Sequence, residues 1–270
     1  MNTKVDLSDQ ILRYGGLILR GFVYLMMLTP AIIVVGSSLT SGAMLQFPPD
    51  GLSLKWYNQV WQNGQFIRAI WNSTYLALLA TVIALALGFT GAFVLDRFKF
   101  PARSLFVSLL LSPIVIPMVV LGLALLQFLS SIGLSQTFTG LLLGHILIML
   151  PYVVRTLTTG FSLLNKTLEE AALNLGAPPL RVIMRVSVPL LMPSIIAAGV
   201  FAFVTSFGNV TLSVFLASAS TITLPVQIFS FVESSYDPTV AAVSSIVIAV
   251  TLGVILLIEK LVGVSQVVGR

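Results

Sequence analysis

The chain has no cysteine and a single histidine, His145, among 270 residues. Without thiols there is no disulfide, no thiolate metal site and no cysteine nucleophile, and one imidazole cannot build a multi-histidine metal centre. A membrane enzyme would need a nucleophile with a base, and His145 has no evident set of partners. Charge is scarce as well: Asp, Glu, Lys and Arg make up 9% of the residues, against about a quarter in a soluble domain. No G-x-x-x-x-G-K-[ST] loop is present, so the chain is not equipped to hold nucleotide phosphates in that way. Internal repeats of the kind secondary transporters carry are also missing.

What is abundant is apolar. Hydrophobic residues account for 57% of the chain, and its mean hydropathy is +1.04. That composition belongs to an integral membrane protein. The formal charge of +5 and the pI of about 9.7 do not point to nucleic acid, because the basic residues form no aromatic-interleaved patch and instead flank apolar runs.

Those runs predict an all-α polytopic protein with six transmembrane helices, at residues 21–39, 69–95, 104–129, 138–154, 190–215 and 240–261. Residues 1–20, with Lys4, Arg13 and Arg20 among leucines and isoleucines, read as a cytoplasmic amphipathic segment. A signal peptide is the competing reading, but the run at 21–39 is too long and lacks a convincing cleavage site. Residues 21–261 then form one membrane domain, and 262–270 a cytoplasmic tail. Segment 40–68, with Trp56, Tyr57 and Trp61, is external and predicts a short helix near 54–60. A second external segment, 217–239, predicts another at 224–232. Lys4, Arg13, Arg20, Arg97, Lys99, Arg103, Arg155, Lys166, Arg181, Arg185, Lys260 and Arg270 fall on one side, leaving Lys55 and Arg68 on the other. The positive-inside rule therefore puts both termini in the cytoplasm.

Polar residues inside the spans are few. Pro113 and Pro117 lie one turn apart in the third span and predict a kink, read either as a packing feature or as a wall of a solute path. His145 is expected to make one interhelical hydrogen bond, since no carboxylate lies at its depth to form a proton relay. Thr205, Ser206, Asn209 and Ser213 recur at four- and three-residue spacing on one helical face, either bonding to neighbouring helices or lining the solute path.

The most informative stretch is 167–189, TLEEAALNLGAPPLRVIMRVSVP. Thr167 and Glu170 have capping-box spacing, Gly176 stands where a left-handed residue ends a helix, and Pro179 suits the first turn of a new one. The expected product is two short helices meeting at a bend, with Leu168, Ala171, Ala172 and Leu175 grouped on the first.

Glu170-Ala171-Ala172, Gly176 and Val186-x-Val188-Pro189 resemble the E-A-A-x-x-x-G-x(9)-I-x-L-P loop of membrane permeases in binding-protein-dependent, ATP-driven importers, with valine at both aliphatic positions. The resemblance implies a coupling loop at 167–189, in which Glu170, Ala171, Ala172, Leu175, Gly176, Val188 and Pro189 meet an ATPase. It further implies a cytoplasmic ATPase dimer that binds ATP and Mg, this chain holding no cofactor itself. A second permease subunit of different sequence, an extracytoplasmic solute-binding protein and the lipid of a bacterial inner membrane complete the expected partners. The F-P-P-D-G-L-S-x-x-W-Y pattern at 47–57, with S-F-G-N-V-T-L-S-V-F and T-L-P-V-Q-I-F-S, looks like the spermidine/putrescine group. Where polyamine permeases often carry an acidic pair, this chain has Gly208-Asn209, and no acidic residue falls at mid-depth. A polycation needs compensating charge in a low-dielectric path. The second permease can supply it, or the cargo is neutral, zwitterionic or anionic, such as an amino acid derivative or an organophosphonate. An ion-coupled secondary transporter is the reading outside this class, and the lack of membrane-embedded acids and of repeats counts against it.

Overall fold

A computed structural model describes residues 7–234 and 237–262. In chain order it contains α1 (Leu7–Ser38), α2 (Lys55–Gln62), α3 (Gly64–Arg97), α4 (Arg103–Val115), α5 (Met118–Ser131), α6 (Phe138–Leu163), α7 (Lys166–Asn174) and α8 (Pro179–Val182). A π turn (Ile183–Ser187), α9 (Val188–Phe207), α10 (Thr211–Leu216), α11 (Leu224–Ser234) and α12 (Thr239–Val262) complete it. The described residues hold no β-strand, in keeping with the all-α expectation. The chain divides into two compact units, one of residues 1–63 and 231–250, the other of residues 64–230 and 251–270.

In the first unit, α1 runs through position 20 without interruption, so the surface segment expected at 1–20 and the span at 21–39 share one helix over the described residues. No proline precedes Pro30 in that helix, and a Cβ on Gly15, Gly16 or Gly21 would meet nothing, so nothing there forces a break. The segment after α1 is ordered by backbone pairing: Ser41 N–H donates to Gly51 C=O at 2.9 Å and Ser53 N–H to Leu39 C=O at 2.8 Å. Trp56, at the start of the expected short helix, is buried and its indole Nε1–H donates to the Thr40 carbonyl at 2.8 Å. The Lys55 ammonium lies 4.5 Å from the Trp56 ring centre and donates to Ser41 C=O at 2.6 Å. An aromatic expected at the bilayer boundary is thus spent on holding the loop that follows α1.

The second unit is built on α3, α6 and α9, which pack on one another. On α3 the buried residues Ala80, Ala84, Gly88 and Ala92 recur every four positions, giving a stripe of small side chains along one face. A Cβ on Gly88 would collide with Val153 of α6, and one on Gly160 would come within 2.5 Å of Ser194 Oγ on α9. With no hydrophobic drive between helices in lipid, such close backbone approach is the main source of packing energy.

Among the described residues, four helices are long and apolar enough to cross a membrane: Arg13–Ser38, Gly64–Arg97, Phe138–Leu163 and Pro179–Phe207. A fifth span results if α4 and α5 are counted together, but they meet at 107°. The kink expected in a single span at 104–129 is therefore a full break. Pro113 lies inside α4, and Pro117, with no N–H to continue the ladder, is the N-cap of α5. Span five is also corrected at its far end. The helix that carries it starts at Pro179, because the π turn joins α8 to α9, and it stops at Phe207 rather than 215. The region of the sixth expected span forms α12, whose described apolar stretch is Thr239–Gly253.

Candidate functional site

Residues 165–189 fold as an elbow, and each bend has a local cause. Asn165 is the N-cap of α7, its side-chain oxygen accepting from Thr167 N–H at 3.1 Å. The capping box expected from Thr167 and Glu170 is thereby displaced: asparagine is the stronger cap and stands two residues earlier. At the other end Gly176 adopts φ +83°. Its N–H donates to Leu173 C=O at 2.9 Å and Ala177 N–H donates to Ala172 C=O at 3.1 Å, the paired bonds of a Schellman motif. Pro178 is extended and Pro179 opens α8 as its first residue.

The second arm is not a separate short helix. Val188 N–H reaches back five residues to Ile183 C=O, which marks the π turn, and the chain continues helically into α9. Inserting one residue rotates the remainder of the helix by about 100° about its axis. Ser187 emerges from this turn buried, and its hydroxyl donates to Glu169 Oε1 at 2.5 Å.

Glu169 is the hub of the elbow. Besides Ser187 it is ion-paired with Arg97 at the end of α3. Arg97 lies 3.5 Å from Asp96 Oδ2, which is 3.3 Å from Lys166 Nζ on α7. The Arg97 guanidinium carbon is 6.0 Å from the buried Phe161 ring of α6, so an aromatic face and a carboxylate hold it from two directions. Arg97 and Glu169 side chains are 17% and 12% exposed, enough desolvation for the pair to matter more than a surface salt bridge. A cavity of about 290 Å³ bordered by Phe93, Arg97, Glu169 and Leu173 separates the elbow from α3 elsewhere.

The other predicted elbow residues are exposed or half-buried. Glu170 and Ala171 are exposed, Ala172 is half-buried, and no residue of α7 is buried. Leu175 is 88% exposed and Leu180 71%, with Leu168, Leu173 and Met184 also exposed around the bend. Val188 is half-buried in the first turn of α9 and Pro189 is exposed there. Of two adjacent glutamates, Glu169 binds the body of the protein, while Glu170 is exposed and borders the cavity beside α3. The 97–169 pairing spans 72 positions and left no sequence signal beyond the i, i+3 spacing of Lys166 and Glu169.

The polar residues of the expected solute path are divided. α9 ends at Phe207, and the Asn209 side chain accepts from Leu212 N–H at 2.9 Å to start α10. His145 on α6 bridges this break: its Nδ1 is 2.8 Å from Ser206 Oγ and its Nε2 is 3.1 Å from Ser213 Oγ. Because Ser213 donates its own proton to Asn209 C=O at 2.9 Å, its oxygen accepts from Nε2–H, and Ser206 donates to Nδ1. His145 thus makes two interhelical bonds rather than the one expected. Ser206 and Ser213 are buried in this bridge, whereas Thr205 and Asn209 are less enclosed. α10 packs on α5, with Gly122 so close to Phe215 that a Cβ would come within 2.5 Å of the ring.

The second unit thus holds an elbow between long apolar helices, with two broken helices packed beside them. Residues 88–262 match the family described as binding-protein-dependent transport system inner membrane component. The chain belongs to this family. It is an importer permease subunit, a component of a bacterial inner-membrane transport system. The permease is 29% identical to the spermidine/putrescine transport system permease protein PotC of Haemophilus influenzae, over 87% of this chain and 91% of that protein. It is 28% identical to the putrescine transport system permease protein PotI of Escherichia coli, over 86% of this chain and 84% of that one. The trehalose transport system permease protein SugB of Mycobacterium tuberculosis is 30% identical, over 78% of this permease and 77% of that protein. Among solved structures, a bacterial ABC transporter that imports the acidic polysaccharide alginate shares the fold. Its TM-score is 0.76 at 20% identity, covering 94% of this chain and 98% of that one.

Proposed function

We propose that this permease is one of two membrane subunits of an ATP-driven importer for a small polar solute of polyamine type. Its six spans, α12 included, leave both termini and the elbow in the cytoplasm, where most Lys and Arg lie. The elbow docks on an ABC ATPase dimer that binds ATP and Mg, and the external loops receive cargo from a solute-binding protein. Glu170, Ala171, Ala172, Leu175 and Gly176 form the docking knuckle, while Val188 and Pro189 pass its displacement into α9. The observation that supports this reading best is the two-sided build of the elbow: apolar side chains exposed on the outside, and an ion pair to α3 on the inside. A lever needs both a contact surface and a rigid attachment.

The solute path runs by the helix breaks at Pro113 to Pro117 and at Thr205 to Asn209, with Ser206 and Ser213 shaping it through His145. Broken helices bring free backbone groups to mid-depth, and these suit polar cargo. A zwitterionic or anionic cargo is the second reading, favoured by Gly208-Asn209 standing where acids would balance a polycation. The test is uptake of radiolabelled spermidine by cells or proteoliposomes carrying the complete transporter, with Gly176→Val alongside. Wild-type uptake is expected to require ATP. A β-branched residue at φ +83° costs about 1–2 kcal/mol, so Gly176→Val is expected to leave ATP hydrolysis running while uptake falls. Normal uptake in that variant refutes the elbow's role, and ATP-driven uptake of a zwitterion or an anion with none of spermidine selects the second reading.

A further inference from the structure

A cavity of about 280 Å³ lies where α3, α4 and α6 meet, and the transport reading gives it no role. Arg103, Arg155, Thr158 and Thr159 line it together with aliphatic side chains that include Val107 and Leu110, and no acidic residue does. Polar and apolar walls are separated along the helices. α4 begins at Arg103, so Val107 and Leu110 lie about 6 and 10 Å further along its axis. α3 ends beside that starting point, and Arg155, Thr158 and Thr159 occupy the last third of α6. The charged end therefore sits where the spans terminate, and the apolar end points toward their middle.

The polar groups have unused capacity. Arg103 donates once within the cavity wall, to Leu95 C=O at 2.9 Å, which leaves most of its five N–H groups available. Arg155 is exposed and has no acidic partner among the described residues. Thr159 donates to Arg155 C=O at 3.1 Å, but the buried Thr158 Oγ1 has no hydrogen-bond partner. That oxygen is closed off from solvent in this rotamer, so it reaches the cavity by a turn about χ1, and an acceptor met there would replace the missing bond.

We propose that this cavity binds the phosphate of an anionic membrane phospholipid, with Arg103, Arg155 and Thr158 on the head group and an acyl chain along Val107 and Leu110. Two guanidinium groups without a counter-charge suit a phosphate. The apolar continuation distinguishes a lipid from soluble phosphate, for which those walls offer nothing. The assignment depends on the chain being in a bilayer and not on which solute it moves.

Titration of the delipidated full-length chain with phosphatidylglycerol and phosphatidylcholine, read by native mass spectrometry, tests it. Phosphatidylglycerol is expected to bind about tenfold more tightly than phosphatidylcholine, because both present a phosphate but the choline ammonium of the second is repelled by the two guanidinium groups. Arg155→Gln and Thr158→Val should each weaken phosphatidylglycerol binding about five- to tenfold at unchanged helicity, with Arg155→Lys losing less. Equal binding of the two lipids by the wild-type chain overturns the proposal without recourse to variants. So does phosphatidylglycerol affinity that neither substitution changes. Displacement of the lipid by inorganic phosphate would reassign the site to a soluble anion.

Discussion

Glu169 and Glu170 show how much one position along a helix decides. Both are acidic, adjacent and in the first turns of α7, yet Glu169 accepts from Ser187 and pairs with Arg97 while Glu170 is exposed at the edge of the cavity beside α3. Removing the charge at Glu169 leaves Arg97 with a weaker partner in a half-buried site, a loss of about 1–3 kcal/mol. Glu169→Gln is therefore expected to loosen the elbow from α3, reducing uptake severalfold with ATPase binding retained. Glu170→Gln should do the reverse, weakening ATPase binding with the elbow still in place. Pull-down of the ATPase from membranes and uptake by the same preparations separate the two. Identical behaviour of the two variants would remove the distinction between latch and docking surface.

Among the helices, close approach is what the second unit depends on. Gly160 lets α6 lie against α9, where a Cβ would come within 2.5 Å of Ser194 Oγ and 2.7 Å of its Cβ. Ser194 cannot withdraw without moving α9, so the helices must separate. Gly160→Leu is expected to cost about 3 kcal/mol or more, since overpacking by even a few methylenes costs about 1–3. A lowered unfolding temperature of the purified chain in detergent checks this, with Gly253→Leu, where a Cβ would meet nothing, as the control. The π turn has the opposite character: it leaves the helix continuous and changes its phase, which brings Ser187 to Glu169. Nothing in V-I-M-R-V-S-V-P announces a π turn in advance. Pro189, in the first turn of α9, has its missing N–H absorbed near the widened turn.

For the whole molecule, orientation in the membrane is the property on which every functional assignment depends. The absence of cysteine makes it directly measurable, because any introduced thiol is unique. Leu175→Cys and Leu52→Cys are suitable, at 88% and 79% exposure. A membrane-impermeant maleimide applied to intact spheroplasts is expected to label the second and spare the first. Inside-out vesicles should give the opposite pattern, and labelling of both from one side would refute the topology.

Sequence by itself determined the class of protein and the local bends: apolar content set the membrane environment, Gly176 its left-handed turn, Pro179 its helix start, and the E-A-A-to-Gly spacing its likeness to the family. Those features depend on a residue's own backbone preferences or on neighbours a few positions away. Tertiary structure decided that Glu169 rather than Glu170 ties the elbow to α3, that the third span is broken by 107°, and that His145 holds Ser206 and Ser213 across a gap in the fifth. Each of these rests on which face of a helix meets a distant one. Where nearly every face is apolar, periodicity carries little information about that choice, and it falls to the fit of small residues and a few hydrogen bonds.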